Sequence, residues 1–146
     1  MDDAEKLSSL KTLTHLVYAL QAAGFVTAGL GWLAAIILNY AKRDDAAATW
    51  LESHFRWQIR TFWFGLLWGV IGVAAAYFGF LAGGLLVYLS GGGEAAGWAA
   101  VGGLLLFGLV GMAIGIADAV WIIYRIVKGW LSLAEGKPLS AVSVGT

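Results

Sequence analysis

The sequence predicts an all-α integral membrane protein with three transmembrane helices and one amphipathic cytoplasmic helix. Of its 146 residues, 60% are hydrophobic and 12% are charged, whereas soluble domains contain about 45–50% apolar and about 25% charged residues. The hydrophobic residues form long continuous runs, whereas the strands of membrane barrels are alternating segments of about ten residues. The composition therefore predicts that the bilayer surrounds the chain and that helices cross it.

The residue counts exclude several functional classes. Nine basic and nine acidic side chains cancel, so the chain lacks the positive field of a nucleic-acid-binding protein. It contains no cysteine, and its two histidines lie far apart, which argues against disulfides, thiolate chemistry and a zinc site. The sequence shows no set of nucleophile, base and metal ligands. We therefore expect no enzymatic activity and no cofactor.

The first predicted span covers about residues 14–40. No charged residue lies between Lys11 and Lys42. The mostly apolar stretch from Leu16 to Tyr40 would form a helix of about 37 Å at about 1.5 Å per residue. Because the hydrocarbon core is about 30 Å thick, such a helix crosses it with some tilt.

The second and third spans are predicted at about residues 61–89 and 97–125. The second uncharged run begins at Thr61 and ends in the sequence SGGG at residues 90–93, which is typical of a turn. The third run is interrupted only by Asp118 before Arg125. Residues 1–146 are thus predicted to form one membrane domain, and its C-terminal tail covers residues 136–146.

The basic residues predict the orientation of these spans. The connection between spans two and three contains no lysine or arginine. Seven of the nine basic residues lie elsewhere, in the first connection or after span three, namely Lys42, Arg43, Arg56, Arg60, Arg125, Lys128 and Lys137. By the positive-inside rule these segments are cytoplasmic. The predicted topology therefore has a periplasmic N-terminus and a cytoplasmic C-terminus.

The connection between spans one and two is predicted to form an amphipathic helix at about residues 45–60. Asp44 or Asp45 is suited to cap its N-terminus. Glu52, Arg56 and Arg60 repeat at intervals of four residues and form a polar ridge on one face. Apolar and aromatic residues occupy the other side, as in helices that lie at a membrane interface. This helix either covers the cytoplasmic ends of the spans or offers a binding face.

Each predicted span carries small residues at helical spacing. The stripes comprise Gly24, Ala28 and Gly31, then Gly65, Gly69, Gly72, Gly79 and Gly83, and finally Gly108, Gly111 and Gly115. Small residues allow helix backbones to approach closely in lipid, so the stripes predict tight packing among the spans or with another copy. We expect leucine at Gly69 or Gly72 to disturb packing more than changes at Leu66 or Val70.

Five residues form a candidate polar cluster at the cytoplasmic side: His54, Gln58, Thr61, Asp118 and Arg125. If the amphipathic helix runs unbroken into the second span, the first three fall on the small-residue stripe of that span. An ionisable group inside a span usually faces protein or water, so we expect Asp118 to pair with Arg125 or to approach Thr61. Such an acid serves either as a structural ion pair or as a proton site.

Four sequence stretches carry a resemblance to a known family. They are KRDD at residues 42–45, TWLESHFRWQIRTFW at residues 49–63, YRIVKGW at residues 124–130 and GKPL at residues 136–139. Together they resemble a family of small uncharacterised bacterial inner-membrane proteins, which is distantly similar to a chloroplast inner-envelope protein-import component. The resemblance implies a multi-pass protein of the bacterial inner (plasma) membrane, and it brings no established activity.

Two functional hypotheses follow from these patterns. The first is a non-enzymatic membrane protein that acts by helix packing, as an assembly or scaffold partner or as a homo-oligomer. The alternative is a small transporter or channel-forming oligomer in which Asp118, His54 and Gln58 line a polar route. In both, the partners are the lipid bilayer and another membrane-protein chain or a second copy, and not nucleic acid.

Overall fold

The structure is a computed structural model that describes residues 3–139. Within this range the chain is all-α, as predicted, and its helices are α1 Asp3–Ala23, α2 Leu30–Lys42, α3 Glu52–Leu89 and α4 Glu94–Ala134. The chain divides into two compact units. Unit 1 contains the described residues up to Trp63 and from Ile122, and unit 2 contains residues 64–121.

The helices α1 and α2 pack together as a hairpin, and this corrects the predicted continuous helix over residues 14–40. Residues 24–29 form turns, and Ala28 and Gly29 have φ values of 51° and 87°. Gly24 and Ala28 therefore lie in the turn and not on a helical stripe. The 13 residues of α2 extend about 20 Å, which is too short to cross a hydrocarbon core of about 30 Å.

The open end of this hairpin brings the start of α1 near the end of α2. The hydrogen bond from Lys42 at the end of α2 lowers the pKa of Asp45 most. Lys6 of α1 lies close enough for its charge to lower that pKa further. At the closed end, a side chain at Gly31 would meet the carbonyl oxygen of Leu20. The two helices are therefore antiparallel.

The helix α3 begins at Glu52, later than the predicted amphipathic helix. Residues 43–51 form turns, so Asp44 and Asp45 do not cap a helix. They instead form ion pairs with Arg43 at 3.3 Å and with Lys42 at 2.9 Å. From Glu52 the helix continues without a break to Leu89, so the predicted cytoplasmic helix and the second span are one element.

The helix α4 continues beyond the predicted end of span three. It follows a turn in which Gly91 and Gly92 have φ values of 71° and 79°, as the glycine run predicts. It ends at Ala134, and Gly136 has a φ of 69°, a left-handed conformation typical of the residue after a helix. Of the predicted tail, residues 136–139 follow α4, and residues 140–146 lie outside the described residues.

Unit 1 has a core of side chains like that of a soluble domain. Its buried apolar residues are Leu10, Val17, Tyr18, Ala35, Ile36, Ala46, Leu51, Phe55, Ile122, Ile126, Leu133 and Leu139. They come from all four helices, from the turns before α3 and from the segment after α4. Burial of this apolar surface contributes about 25 cal/mol of folding free energy per Å² and stabilises the unit.

Unit 2 has the opposite distribution of apolar side chains. Every buried position in residues 64–121 is a glycine: Gly65, Gly72, Gly79, Gly83 and Gly111. Large apolar side chains are exposed instead, for example Val73 at 72% and Phe78 at 66%. Among the described residues, α3 and α4 are the two helices long and apolar enough to cross a membrane, and only 17% and 6% of their most apolar stretches are buried.

The contact between α3 and α4 in unit 2 is made at glycines. A Cβ atom at Gly72 would lie 3.2 Å from the carbonyl oxygen of Gly111, and one at Gly83 would lie 3.2 Å from that of Ala100. A Cβ atom at Gly79 would meet Phe107. The order of these pairs shows that the two helices are antiparallel. Part of the predicted stripe lies outside this contact, since no atom lies within 4 Å of a Cβ built at Gly69, Gly108 or Gly115.

We expect Gly72→Leu to weaken the α3–α4 contact because the new side chain meets backbone, which cannot move aside. Overpacking of this kind typically costs about 1–3 kcal/mol. Gly84→Leu is the matched control on the same helix, since nothing lies within 4 Å of a Cβ at that position. Unfolding in detergent micelles, followed by circular dichroism, measures the difference, and equal stability of the two variants would contradict the glycine contact.

Candidate functional site

Four of the five residues of the predicted polar cluster belong to unit 1, and each of them makes at least one side-chain hydrogen bond there. His54, Gln58 and Thr61 are buried on α3, and Arg125 of α4 is partly buried. The remaining residue, Asp118, belongs to unit 2. None of the four ion pairs among residues 3–139 includes Asp118.

His54 is hydrogen-bonded through both ring nitrogens. Its Nε2 lies 3.0 Å from the carbonyl oxygen of Lys137, and its Nδ1 lies 3.1 Å from the hydroxyl oxygen of Tyr18. A carbonyl only accepts, so Nε2 donates, and Nδ1 of the neutral ring accepts from the hydroxyl. Burial raises the pKa of Tyr18, which keeps that hydroxyl protonated as a donor. The imidazole therefore links α1, α3 and the segment after α4.

A second bond fixes the segment after α4 on the start of α3. The backbone N–H of Leu139 donates to Oγ of Ser53 at 3.0 Å, and this hydroxyl donates to the carbonyl of Trp50 at 2.9 Å. The side chain of Leu139 is buried. Residues 137–139 are thus held by the first turn of α3, which the sequence did not predict because the contact joins positions more than 80 residues apart.

Arg125 and Trp57 bind each other on facing helices. The indole of Trp57 donates to the carbonyl of Arg125 at 3.0 Å, and the guanidinium carbon lies 3.6 Å from the centre of the indole ring. The guanidinium donates to Oγ1 of Thr61 at 2.8 Å and to the carbonyl of Trp57 at 3.2 Å. The approach of Arg125 to Thr61 joins two members of the predicted cluster. The planar guanidinium suits this combination of stacking and hydrogen bonding.

A layer of buried amides connects α1 with α3. Nε2 of Gln21 donates to the carbonyl of Gln58, and Nε2 of Gln58 donates to the carbonyl of Thr14, both at 3.3 Å. The side-chain oxygens of both glutamines and both polar atoms of Asn39 are buried without a hydrogen-bond partner among the described residues. A void of about 10 Å³ beside Gln21 has the volume of one water molecule.

Asp118 lies at a separate cavity in unit 2. This cavity of about 330 Å³ is lined by Asp118, by the tryptophans Trp68 and Trp121, and by Ile114 and Ala117. The Oδ1 atom of Asp118 is buried without a hydrogen-bond partner among residues 3–139. The predicted pairing of Asp118 with Arg125 or Thr61 stays a prediction.

A third feature is an arginine-lined groove of about 380 Å³ in unit 1. It lies between the end of α2, the turns that follow and the start of α3, and its charged lining residues are Arg43, Asp44, Glu52, Arg56 and Arg60. Glu52 and Arg56 form the i, i+4 ion pair of the predicted polar ridge. The sequence identified this ridge but could not show that the turns would bring Arg43 beside it.

The described residues contain no cluster of side chains that could hold a metal ion. No group of three or more histidine, aspartate or glutamate side chains in residues 3–139 could hold a metal ion. Both nitrogens of His54 are committed to structural bonds. The hydrogen bonding of His54 therefore supports a role in holding α1, α3 and the segment after α4 together.

No family model, curated protein or solved structure matches this chain. The resemblance to bacterial inner-membrane proteins therefore stays a prediction.

We expect His54→Leu to destabilise unit 1, because it leaves the Tyr18 hydroxyl and the Lys137 carbonyl without partners. Each unsatisfied buried group costs about 1–3 kcal/mol. The rate of hydrogen exchange at the Leu139 amide should rise as well, since the segment after α4 loses the bond between His54 and the Lys137 carbonyl. His15→Leu serves as the control, because His15 is only partly buried and accepts a single bond from Trp130. Equal losses in the two variants would show that His54 has no special role.

Proposed function

We propose that the chain is a multi-pass membrane protein that acts by packing its spanning helices against another transmembrane segment. The observation that carries this proposal is the inverted distribution in unit 2, where glycines are buried and large apolar side chains are exposed. In water such a surface would be unstable, whereas lipid solvates it. The proposed location is the bacterial inner membrane, in line with the resemblance.

The two long helices support a two-span topology. The turn at residues 90–93 has no lysine or arginine, whereas unit 1 contains all nine basic residues of the chain. The positive-inside rule then assigns unit 1 to the cytoplasm and the turn to the periplasm. In this proposal the N-terminal segment lies on the cytoplasmic side. The prediction of a periplasmic N-terminus depended on a continuous first span, and residues 14–40 form parts of the α1–α2 hairpin instead.

An open flank of unit 2 supports the packing role. Gly69 precedes Gly72 by three residues, and Gly108 precedes Gly111 by three, so both lie just beside the α3–α4 contact face. In an antiparallel pair these two offsets fall on the same flank, and Gly115 continues it one turn beyond Gly111. Nothing lies within 4 Å of a Cβ at these three glycines. A further helix could therefore approach the backbone there, as small-residue interfaces in membranes allow.

The alternative of a small transporter or channel has narrower support. The unpartnered oxygen of Asp118 at its aromatic cavity favours it. His54 and Gln58, the other members of the proposed route, use polar atoms in bonds within unit 1. The helix-packing proposal therefore has the stronger basis.

A labelling experiment tests the topology, and the lack of native cysteine makes it simple. Single cysteines at Ser9, Ser90 and Glu135 are exposed to a membrane-impermeant thiol reagent on intact cells. We expect labelling at position 90 alone, because the other two positions belong to unit 1. Labelling at both 9 and 90 would instead support three spans and overturn the two-span arrangement.

A crosslinking experiment tests the packing role. We expect Gly108→Leu with Gly115→Leu to reduce, by about tenfold, the crosslinked species that the wild-type chain forms in native membranes, because the leucines fill the open flank. Gly102→Leu is the matched control: it lies nine residues, about two and a half turns, from Gly111 and so on the far face of α4. If the double variant and the control crosslink equally, or if the wild-type chain forms no crosslinked species, the packing role is wrong.

A further inference from the structure

The arginine-lined groove of unit 1 has an excess of positive charge, which an anion would neutralise. Three guanidinium groups face two carboxylates there, which leaves one positive charge. Asp44 and Glu52 are used by Arg43 and Arg56 in ion pairs. Arg60 lines the same groove and has no ion-pair partner among residues 3–139.

The position of Arg60 along α3 indicates which class of anion binds in the groove. Arg60 directly precedes Thr61, where the uncharged run of α3 begins. Close to it, the indole of Trp63 donates to the hydroxyl of Tyr40 at 2.9 Å, and both rings are about half exposed. Tryptophan and tyrosine concentrate at the headgroup level of membranes. The groove therefore opens where lipid phosphates would lie if α3 spans the bilayer.

We propose that this groove binds the headgroup phosphate of an anionic glycerophospholipid, an inference that rests on the membrane assignment made above. Arg60 donates to the phosphate oxygens in the forked geometry that guanidinium offers. Arg43 and Arg56 supply further donors from the sides of the groove, while their carboxylate partners hold them in place. The acyl chains lie against the exposed rings of Tyr40 and Trp63 beside the groove.

The membrane location selects a lipid over a soluble phosphate ester. The groove is open on one side and only shallowly enclosed, so a small phosphate would gain contacts with the arginines alone. A phospholipid gains the same contacts and also keeps its chains against the exposed rings of Tyr40 and Trp63. Basic sites at the cytoplasmic ends of spanning helices bind anionic headgroups in this manner.

Lipid retention measured by native mass spectrometry tests the proposal. The full chain is purified in micelles and titrated with phosphatidylglycerol or with phosphatidylcholine. We expect tighter retention of phosphatidylglycerol, and we expect Arg60→Gln to weaken it about five- to tenfold. Arg60→Lys keeps the charge and should retain an intermediate affinity. Lys137→Gln is the matched control, because it removes one positive charge that pairs with Glu135 outside the groove.

Three results would overturn the site. They are equal retention of the two lipids, equal loss in Arg60→Gln and Lys137→Gln, and full displacement of phosphatidylglycerol by millimolar glycerol phosphate, which would assign the groove to a soluble phosphate. If Arg60→Gln loses helicity, Arg43→Gln replaces it in the comparison. Failure in any of these arms leaves the helix-packing proposal intact, because labelling and crosslinking test that proposal separately.

Discussion

The two hydrogen bonds of the His54 ring join parts of the chain that no local preference would bring together. Tyr18 comes from α1 and Lys137 from the segment after α4, and the imidazole between them belongs to the first turn of α3. A buried imidazole is tolerable only when both nitrogens are satisfied. Two residues near the end of α4 pack around the Tyr18 side chain. Trp130 stacks on the Tyr18 ring, and Gly129, which has no side chain, leaves room for the Tyr18 hydroxyl.

Much of the fold could be predicted from hydropathy and turn chemistry alone. The uncharged runs predicted α3 and α4, and the glycines at residues 91–93 predicted the turn between them. The break at residues 24–29 could not be predicted, because glycine and alanine there keep helical spacing and no proline marks an end. Whether such a segment bends depends on tertiary contacts, here the bond from the Trp32 indole to the carbonyl of Gln21 at 2.6 Å.

The candidate sites were predictable where a single helix carries the pattern. Glu52, Arg56 and Arg60 form a ridge at intervals of four residues, and Asp118 stands out as an acid in an apolar run. Contacts between distant segments gave no such signal: nothing in the sequence links Tyr18 to His54 or Trp57 to Arg125. The glycine stripes predicted close packing, yet spacing alone could not distinguish Gly72, which meets α4, from Gly69, which does not.

The discontinuous composition of unit 1 has a consequence for biosynthesis. Its core combines Leu51 and Phe55 with Ile126, Leu133 and Leu139, and the whole of unit 2 separates these two groups in the chain. A ribosome therefore releases the first half of this core long before the second half exists. Until α4 is complete, apolar side chains of α1 and of the start of α3 lack their partners. Unit 1 can thus complete its core only after unit 2 and the end of α4 have been synthesised.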